Sequence, residues 1–189
     1  MNSKTMYPYL PTLETERLRL RKLTLEDVED IYEYGSNDEV TRYVTWDTHQ
    51  SLSDSLQFVE FVLQRYEEKE VAPWGIQLKE TGKIIGTIDF VSRSPHHRKA
   101  EIGYVLSQEH WGKGIVPEAV NELLTFGFTK LDLVRIEARC FIENAKSERV
   151  MEKSGMTFEG ILRKVMFVKG EHRDLKVYSI LKEEFDCNK

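Results

Sequence analysis

The sequence predicts a mixed α/β fold around one central sheet. Two observations predict it: short apolar runs typical of strands recur along the chain, and amphipathic helical segments separate several of them. A strand followed by a crossover helix and another strand indicates a parallel pair, whereas glycine turns between strands indicate antiparallel hairpins. A length of 189 residues with 40% hydrophobic content fits one domain over residues 1–189, with its core at 12–185 and loose ends.

The elements of the first half follow from local patterns. Residues 17–23 alternate apolar and charged side chains and predict the first strand. Thr24, followed three residues later by Asp27, resembles a capping arrangement and predicts a helix to about residue 34. Helical spacing of apolar residues predicts a second helix over 53–69, with a short turn at 38–43 before it.

Six more strands are predicted, joined by hairpin turns or by crossover helices. Strands at 74–78 and 84–91 meet at a Thr-Gly turn, and an apolar run at 100–106 is the fourth strand. After a glycine loop, one apolar helical face spans 116–131, and the fifth strand is 134–141. Asn144 is the predicted N-cap of a helix that ends near Gly155. Two final strands, 156–168 and 172–181, form a hairpin at Lys169-Gly170.

The loop at residues 108–119, Gln-Glu-His-Trp-Gly-Lys-Gly-Ile-Val-Pro-Glu-Ala, joins the fourth strand to a helix. Backbone N–H groups converge at such a helix N-terminus, where the helix dipole favours an anion such as phosphate. A Walker loop is excluded because it needs Ser or Thr directly after Gly-Lys, whereas Gly112-Lys113 is followed here by Gly114, Ile115 and Val116. A dinucleotide fingerprint is excluded because Pro117 occupies its last glycine and no early βαβ unit is present.

The loop and its surroundings resemble the Gcn5-related N-acetyltransferases (GNAT). Their acetyl-coenzyme A loop, Arg/Gln-x-x-Gly-x-Gly/Ala, falls on residues 111–116 with Gly114 as its central glycine, while Trp111 and Val116 depart from it. Residues 13–21, 101–106, Asn144-x-x-Ser147 and 153–156 resemble the subgroup of ribosomal-protein N-terminal acetyltransferases of the Rim type. The resemblance covers residues 12–185 in the correct order.

The resemblance implies a GNAT fold, with a mostly antiparallel sheet of about seven strands whose fourth and fifth strands splay apart. It also implies acetyl-coenzyme A as co-substrate, with the pantetheine arm beside Val105 and Leu106. Asn144 would contact that arm and Ser147 would approach the sulfur. The backbone of the loop would hold the pyrophosphate, at Trp111, Gly112, Lys113, Gly114, Ile115 and Val116. Lys146 and Arg149 are either ligands of the 3′-phosphate or solvated charges.

Acetyl transfer requires a neutral amine, because an ammonium has no lone pair. Glu101, at the start of the fourth strand, is the candidate base, and an ion pair with Arg98 or Lys99 is the alternative interpretation. Met151 stands where many relatives have a tyrosine that protonates the thiolate, so Ser147 or a water would serve. Direct transfer is expected, without an acyl-enzyme on Cys140, which falls in a predicted strand.

We therefore expect an N-acetyltransferase that acts on a primary amine, with a protein N-terminal α-amine, such as that of a ribosomal protein, as acceptor. A polyamine or an aminoglycoside is the alternative acceptor. An alternative of another class is a module that binds and senses coenzyme A without catalysis. Thiol release from acetyl-coenzyme A with a panel of amines separates these hypotheses.

Composition excludes several partners. The net charge of −5 argues against direct nucleic-acid binding, and no long apolar run or signal-like N-terminus is present, which predicts a cytoplasmic protein without membrane contact. His96, His97 and His110 lack a third ligand at a recognisable spacing, so no metal site is expected. Cys140 and Cys187 are too distant in sequence to suggest a disulfide framework. Assembly into a homo-oligomer stays open.

Overall fold

The computed structural model describes residues 10–187, which contain one eight-stranded sheet in the order β1-β2-β3-β4-β5-β6-β8-β7. The strands are β1 (Leu13–Glu14), β2 (Leu18–Arg21), β3 (Trp74–Leu78), β4 (Ile84–Ser94), β5 (Lys99–Leu106), β6 (Arg135–Phe141), β7 (Thr157–Val168) and β8 (Glu171–Leu181). The helices are α1 (Val28–Gly35), α2 (Asp38–Thr41), α3 (Leu52–Glu67), α4 (Ile115–Thr129), α5 (Ala145–Lys153) and α6 (Lys182–Cys187), with 3-10 turns at Leu25–Asp27 and Gln108–His110.

The predicted order of elements is confirmed, with small additions. The strand that the sequence did not predict is β1. It is only two residues long, with Leu13 paired to Leu20, and is too short to show a periodic pattern. The predicted turn at 38–43 contains the short helix α2, and an additional helix, α6, begins in the predicted core and extends two residues past its expected end at 185. The predicted loose N-terminus lies mostly outside the described residues.

The helix starts follow the capping residues. Thr24 and Asp27 form the predicted reciprocal capping box, which begins the 3-10 turn that leads into α1. A second box, between Ser51 and Asp54, begins α3. Both pairs satisfy backbone N–H groups that would otherwise lack partners in the first turn.

Helices cover the two faces of the sheet. Ala119, Val120, Leu123 and Leu124 of α4 are buried against one face, and burial of each leucine contributes about 2 kcal/mol. Helices α1 and α3 cover β3, β4 and part of β5 on the other face, through a second apolar cluster that includes Ile31, Val59 and Val62. Within residues 10–187, no helix combines the length and the apolar character that crossing a membrane requires.

The predicted splay is confirmed between β5 and β6. These two strands are the parallel pair of the sheet, and their pairing runs from Lys99 with Arg135 to Ile102 with Ala138. Beyond Ile102, β5 stays paired with β4 as far as Leu106, while β6 continues along β8 to Phe141. The two strands therefore open into a V whose apex lies at Gly103.

The C-terminal hairpin reaches over to the α2 segment. Lys169, in the turn between β7 and β8, donates from Nζ to the carbonyl oxygen of Thr41 at 2.7 Å. Tyr43 packs beside Phe141, Val168 and Leu175. This contact brings two segments that are distant in sequence to one side of the V.

Candidate active site

The glycine loop connects β5 to α4 through two left-handed residues. Gly112 and Gly114 have φ of 75° and 74°, and Gly114 is the N-cap of α4. A Cβ at Gly112 would meet no atom within 4 Å, so the backbone conformation and not packing accounts for this glycine. The first-turn N–H groups lack intrahelical partners, and Pro117 has no N–H, so the available donors lie between Gly112 and Val116. This arrangement fits a pyrophosphate.

Hydrogen bonds from the N-terminal segment fix the position of the glycine loop and of the first turn of α4. Glu118 accepts hydrogen bonds from Thr15 Oγ1, from the Arg17 backbone N–H at 2.9 Å and from Arg17 Nε at 2.6 Å. Arg17 also donates from Nη1 to the carbonyl oxygen of Lys113 at 2.9 Å. Burial alone would raise the pKa of Glu118, but the bonds from Thr15 and Arg17 lower it below its usual value. Sequence reasoning missed this role of Arg17, which it read only as part of a strand pattern.

The side chain of Trp111 connects the glycine loop to β5 and to α5. The indole Nε1–H donates to the carbonyl oxygen of Leu106 at 2.9 Å, and Lys146 Nζ lies 3.7 Å from the ring centroid. The residue that departs from the family pattern therefore joins the end of β5 to α5. Its side chain provides that link in addition to the backbone role expected from the sequence.

A cavity of about 670 Å³ lies between β5, the loop, α5 and the α2 segment. Most of the predicted coenzyme-binding residues line it, namely Val105, Leu106, Trp111, Gly112, Gly114, Ile115, Val116, Asn144 and Ser147. Lys113 and Glu101 are not among the residues that line it. Val40, Tyr43 and Glu143 also line the cavity; the sequence offered Tyr43 as a residue of the acceptor pocket or of the core, and it did not point to Val40 or Glu143.

The strand edge that faces the gap is defined by the β4–β5 ladder. Val105 lies opposite Thr87, and Ser107 N–H donates to the carbonyl oxygen of Ile85 at 2.7 Å. In an antiparallel ladder this pattern turns the backbone of Val105 toward β4 and that of Leu106 away from it. Leu106 therefore turns its backbone N–H toward the gap, where its carbonyl oxygen already accepts from Trp111, and Val105 contributes its side chain to the cavity lining.

Tyr104 and Ser147 bridge the two walls of the V. Tyr104 Oη lies 2.8 Å from Ser147 Oγ and donates to the Ser147 carbonyl oxygen at 3.2 Å. Burial raises the pKa of the Tyr104 phenol above its usual value, against the hydrogen bond with Ser147, which lowers it. Asn144 caps α5 as predicted, since its Oδ1 accepts from Ser147 N–H at 3.1 Å. Met151 is 1% exposed and packs in the core.

Sequence reasoning missed Tyr104. Its signal was a hydroxyl-bearing ring in an otherwise apolar strand, one residue beyond a glycine.

Cationic side chains lie along the cavity side of α5. Lys146, Arg149 and Lys153 all line the cavity, at helix spacings of three and four residues. His110 faces them from the loop, and burial, followed by the charge of Lys113, lowers its pKa so that the ring is mainly neutral at pH 7. The three cations Lys146, Arg149 and Lys153 suit the binding of phosphate groups.

Glu101 has a different partner from the two that the sequence suggested. Arg98 pairs with Asp132 and Lys99 with Glu137, whereas Glu101 Oε2 lies 3.4 Å from Arg139 Nε. The alternative interpretation, an ion pair of Glu101 with Arg98 or Lys99, is wrong because β6 runs parallel to β5 and places Arg139 beside Glu101. Burial raises the pKa of Glu101, and Arg139 opposes that effect.

Other reactive side chains lie away from the cavity. His96 and His97 stand in the turn between β4 and β5, and nowhere in residues 10–187 do three or more His, Cys, Asp or Glu side chains form a group able to hold a metal. Cys140 is buried in β6, and burial raises its pKa to about 11, so it is a neutral thiol at pH 7. Cys187 ends α6, and its side chain lies outside the described residues.

A splayed sheet with a left-handed glycine loop at its mouth defines a coenzyme A-dependent acetyltransferase. The family model described as "Acetyltransferase (GNAT) domain" matches residues 17–157, so the chain belongs to the GNAT acetyltransferases.

Several known proteins are similar along most of their length. The uncharacterized N-acetyltransferase YoaA of Bacillus subtilis is 41% identical over 172 residues, covering 91% of this chain and 97% of YoaA. A GNAT acetyltransferase structure from Bacillus anthracis is 32% identical with a TM-score of 0.81, covering 92% and 99% of the two chains. The acetyltransferase MccE, solved with acetyl-CoA and AMP, is 26% identical with a TM-score of 0.79, covering 88% and 93%. This chain is accordingly an N-acetyltransferase that uses acetyl-coenzyme A.

Relatives with named acceptors differ among themselves. The ribosomal-protein-serine acetyltransferase of Escherichia coli is 25% identical over 176 residues, covering 87% of this chain and 93% of that protein. The spermidine N(1)-acetyltransferase of Vibrio cholerae is also 25% identical, over 169 residues, covering 89% and 95%. Identity alone therefore does not choose between a protein and a polyamine acceptor.

Proposed function

We propose that the enzyme transfers acetyl directly from acetyl-coenzyme A to the N-terminal α-amine of a protein. The observation that favours a protein over a polyamine is strand β7, which exposes five large apolar side chains: Phe158, Ile161, Leu162, Val165 and Phe167. An exposed apolar surface of this kind suits a polypeptide and offers nothing to a small polycation. The β7–β8 turn touches Thr41, beside the cavity, so this strand belongs to a hairpin that borders the site.

In this proposal the chain binds the coenzyme through groups that line the cavity. The amides from Gly112 to Val116 receive the pyrophosphate, and Leu106 offers its backbone to the pantetheine arm. The side chain of Asn144 faces the same arm. Lys146 and Arg149 receive the 3′-phosphate, because both lie on the cavity side of α5. Bound acetyl-coenzyme A supplies an activated thioester.

The chemical step then depends mainly on positioning of two bound reactants. Glu101 takes the proton of the acceptor ammonium, directly or through water, since burial favours its protonated form. Ser147 donates its hydroxyl proton in a hydrogen bond to the departing sulfur, while the Tyr104 hydroxyl, 2.8 Å away, donates to Ser147 Oγ in place of the carbonyl oxygen. The neutral thiol of Cys140 takes no part, which agrees with a direct transfer.

The test is thiol release from acetyl-coenzyme A with three kinds of amine: peptides with a free N-terminal serine, spermidine and kanamycin. We expect the peptide to give the highest kcat/KM, and mass spectrometry to locate the acetyl group on its α-amine. A matched peptide with a blocked N-terminus and a free lysine serves as control. Preference for spermidine or kanamycin would replace the acceptor proposal. Coenzyme binding without release by any amine would support the sensing module instead.

We also propose that residues 12–185 form one catalytic domain and that the enzyme works in the cytoplasm, where new protein N-termini and acetyl-coenzyme A meet. Limited proteolysis should leave a fragment of about that extent, and cell fractionation should recover the activity with the cytosol. A homo-oligomer is compatible with the apolar surface of β7. Sedimentation of the wild type beside a Phe167→Ser variant tests whether this surface joins two copies.

A further inference from the structure

A second carboxyl group, Asp89, lies at the apex of the V. Asp89 is on β4 directly opposite Gly103, and Gly103 is the first residue of β5 beyond the pairing with β6. A Cβ at Gly103 would be 3.4 Å from Asp89 Oδ1. The Asp89 carboxyl therefore lies next to Gly103, which has no side chain, at the point where β5 and β6 separate. Glu101, two residues earlier on β5, projects from the same face of the sheet.

Asp89 is partly buried and lacks a countercharge from the protein. The cation whose charge acts on Asp89 is Arg65 of α3, and its guanidinium donates to the Val71 carbonyl oxygen and lies 3.2 Å from a Glu70 oxygen. Within residues 10–187, no hydrogen bond or ion pair joins the Asp89 carboxyl to another side chain. Burial raises its pKa from 3.8 to about 7, and the charge of Arg65 only partly opposes this. Even a partly buried carboxylate without a partner in the protein is costly, so the position favours a cation from outside.

We propose that Asp89 binds the ammonium group of the acceptor and holds it over Gly103, at the apex of the V. This inference rests on the proposed amine acceptor and adds a binding site to it. Glu101 then removes the proton from an ammonium that Asp89 has positioned, so the two carboxyls have separate tasks. Val91, which is 49% exposed, lies beside Gly103 and gives this face an apolar border open to solvent.

The site predicts a pH dependence of acceptor binding. Below pH 7 Asp89 is mostly protonated and cannot pair with a cation, so the KM for the amine should fall as pH rises toward about 7.5, where an α-ammonium with a pKa of about 8 still carries most of its charge. The charged or ionisable groups that act on Asp89 or are influenced by it are Arg65 and Tyr66 from α3, while Glu101 of β5 lies on the same face of the sheet and pairs with Arg139 of β6. Tyr66 has a pKa raised to about 12 by burial, so it stays neutral in this range. Glu101 is the other group whose titration can overlap, and its own variant identifies its contribution.

The kinetic test compares Asp89→Asn with Glu101→Gln and with Glu80→Gln, an exposed control in the β3–β4 turn. With an N-terminal serine peptide at pH 8, Asp89→Asn should raise the KM for the peptide about tenfold or more, as expected for loss of a charge-assisted contact. Its kcat and its KM for acetyl-coenzyme A should change less than about threefold, and the pH dependence of the peptide KM should disappear. Glu101→Gln should lower kcat instead. An unchanged peptide KM and pH profile in Asp89→Asn overturns the inference.

A second measurement does not require turnover. Carboxyl-carbon NMR of the wild type, assigned with Asp89→Asn, follows the titration of Asp89 with and without propylammonium chloride against equal sodium chloride. We expect propylammonium to lower the Asp89 pKa, and an unchanged pKa would overturn the inference. If no amine is acetylated but the pKa falls, the proposed function fails and the ammonium site stands. If peptides are acetylated but neither measurement responds, the site fails and the proposed function stands.

Discussion

Replacement of Asp89 by Asn should stabilise the protein, and the gain should depend on pH. The two side chains are nearly isosteric, so packing over Gly103 is kept while the uncompensated charge is removed. The pKa of Asp89 rises from 3.8 to about 7 on folding, and a rise of that size corresponds to about 4 kcal/mol at most. This figure is an upper limit, because residual water contact and relaxation reduce the cost of the charge.

The sign follows from proton binding. The folded protein holds the Asp89 proton more tightly than the unfolded chain does, so the wild type loses stability as pH rises from about 4 to 7. Asp89→Asn lacks this titration. The free energy of unfolding of the variant minus that of the wild type should therefore increase over that interval and stay constant above it. Taking the difference removes the titration of all other groups, provided that they do not couple to Asp89.

Urea denaturation at pH 5, 6, 7 and 8, followed by tryptophan fluorescence, measures this difference. We expect a gain for Asp89→Asn that is larger at pH 8 than at pH 5 by about 1–3 kcal/mol, with equal m-values. The exposed control Glu80→Gln should follow the wild type at every pH. A difference that is the same at pH 5 and pH 8 would refute the reasoning, because it would mean that Asp89 titrates alike in the folded and unfolded states.

Three further predictions concern the cavity. Gly114→Glu should weaken coenzyme A binding about tenfold or more, by calorimetry, because φ is 74° there and the new carboxylate repels phosphate; a folded variant with wild-type affinity would contradict the loop assignment. Tyr104→Phe should lower kcat about threefold to tenfold without changing coenzyme affinity, and Ser147→Ala should add little to it, since the two hydroxyls act as a pair. Full additivity of these two changes would mean independent roles. Glu118→Gln should cost about 1–3 kcal/mol in thermal unfolding by weakening its bonds to Thr15 and Arg17, and an unchanged melting temperature would argue against that anchor.

The sequence by itself determined the features that depend on neighbours along the chain. The strand periods, the Thr24–Asp27 capping box, the Asn144 cap and the glycine loop before α4 are all set by residues within a few positions of each other. The parallel crossover around α4 follows from the order of the elements, so the gap between β5 and β6 could also be predicted from the sequence. Family resemblance then identified acetyl-coenzyme A.

Only the tertiary structure decided which distant side chains meet. Arg17 reaches Glu118, and Tyr104 reaches Ser147 across the gap, over sequence separations of 101 and 43 residues. Glu101 pairs with Arg139 because the parallel register, and not sequence proximity, brings β6 beside β5. Asp89 looks like an ordinary strand residue in sequence. Its burial and its lack of a countercharge depend on α3 packing and on the opening of the strands at Gly103, and both are properties of the assembled sheet.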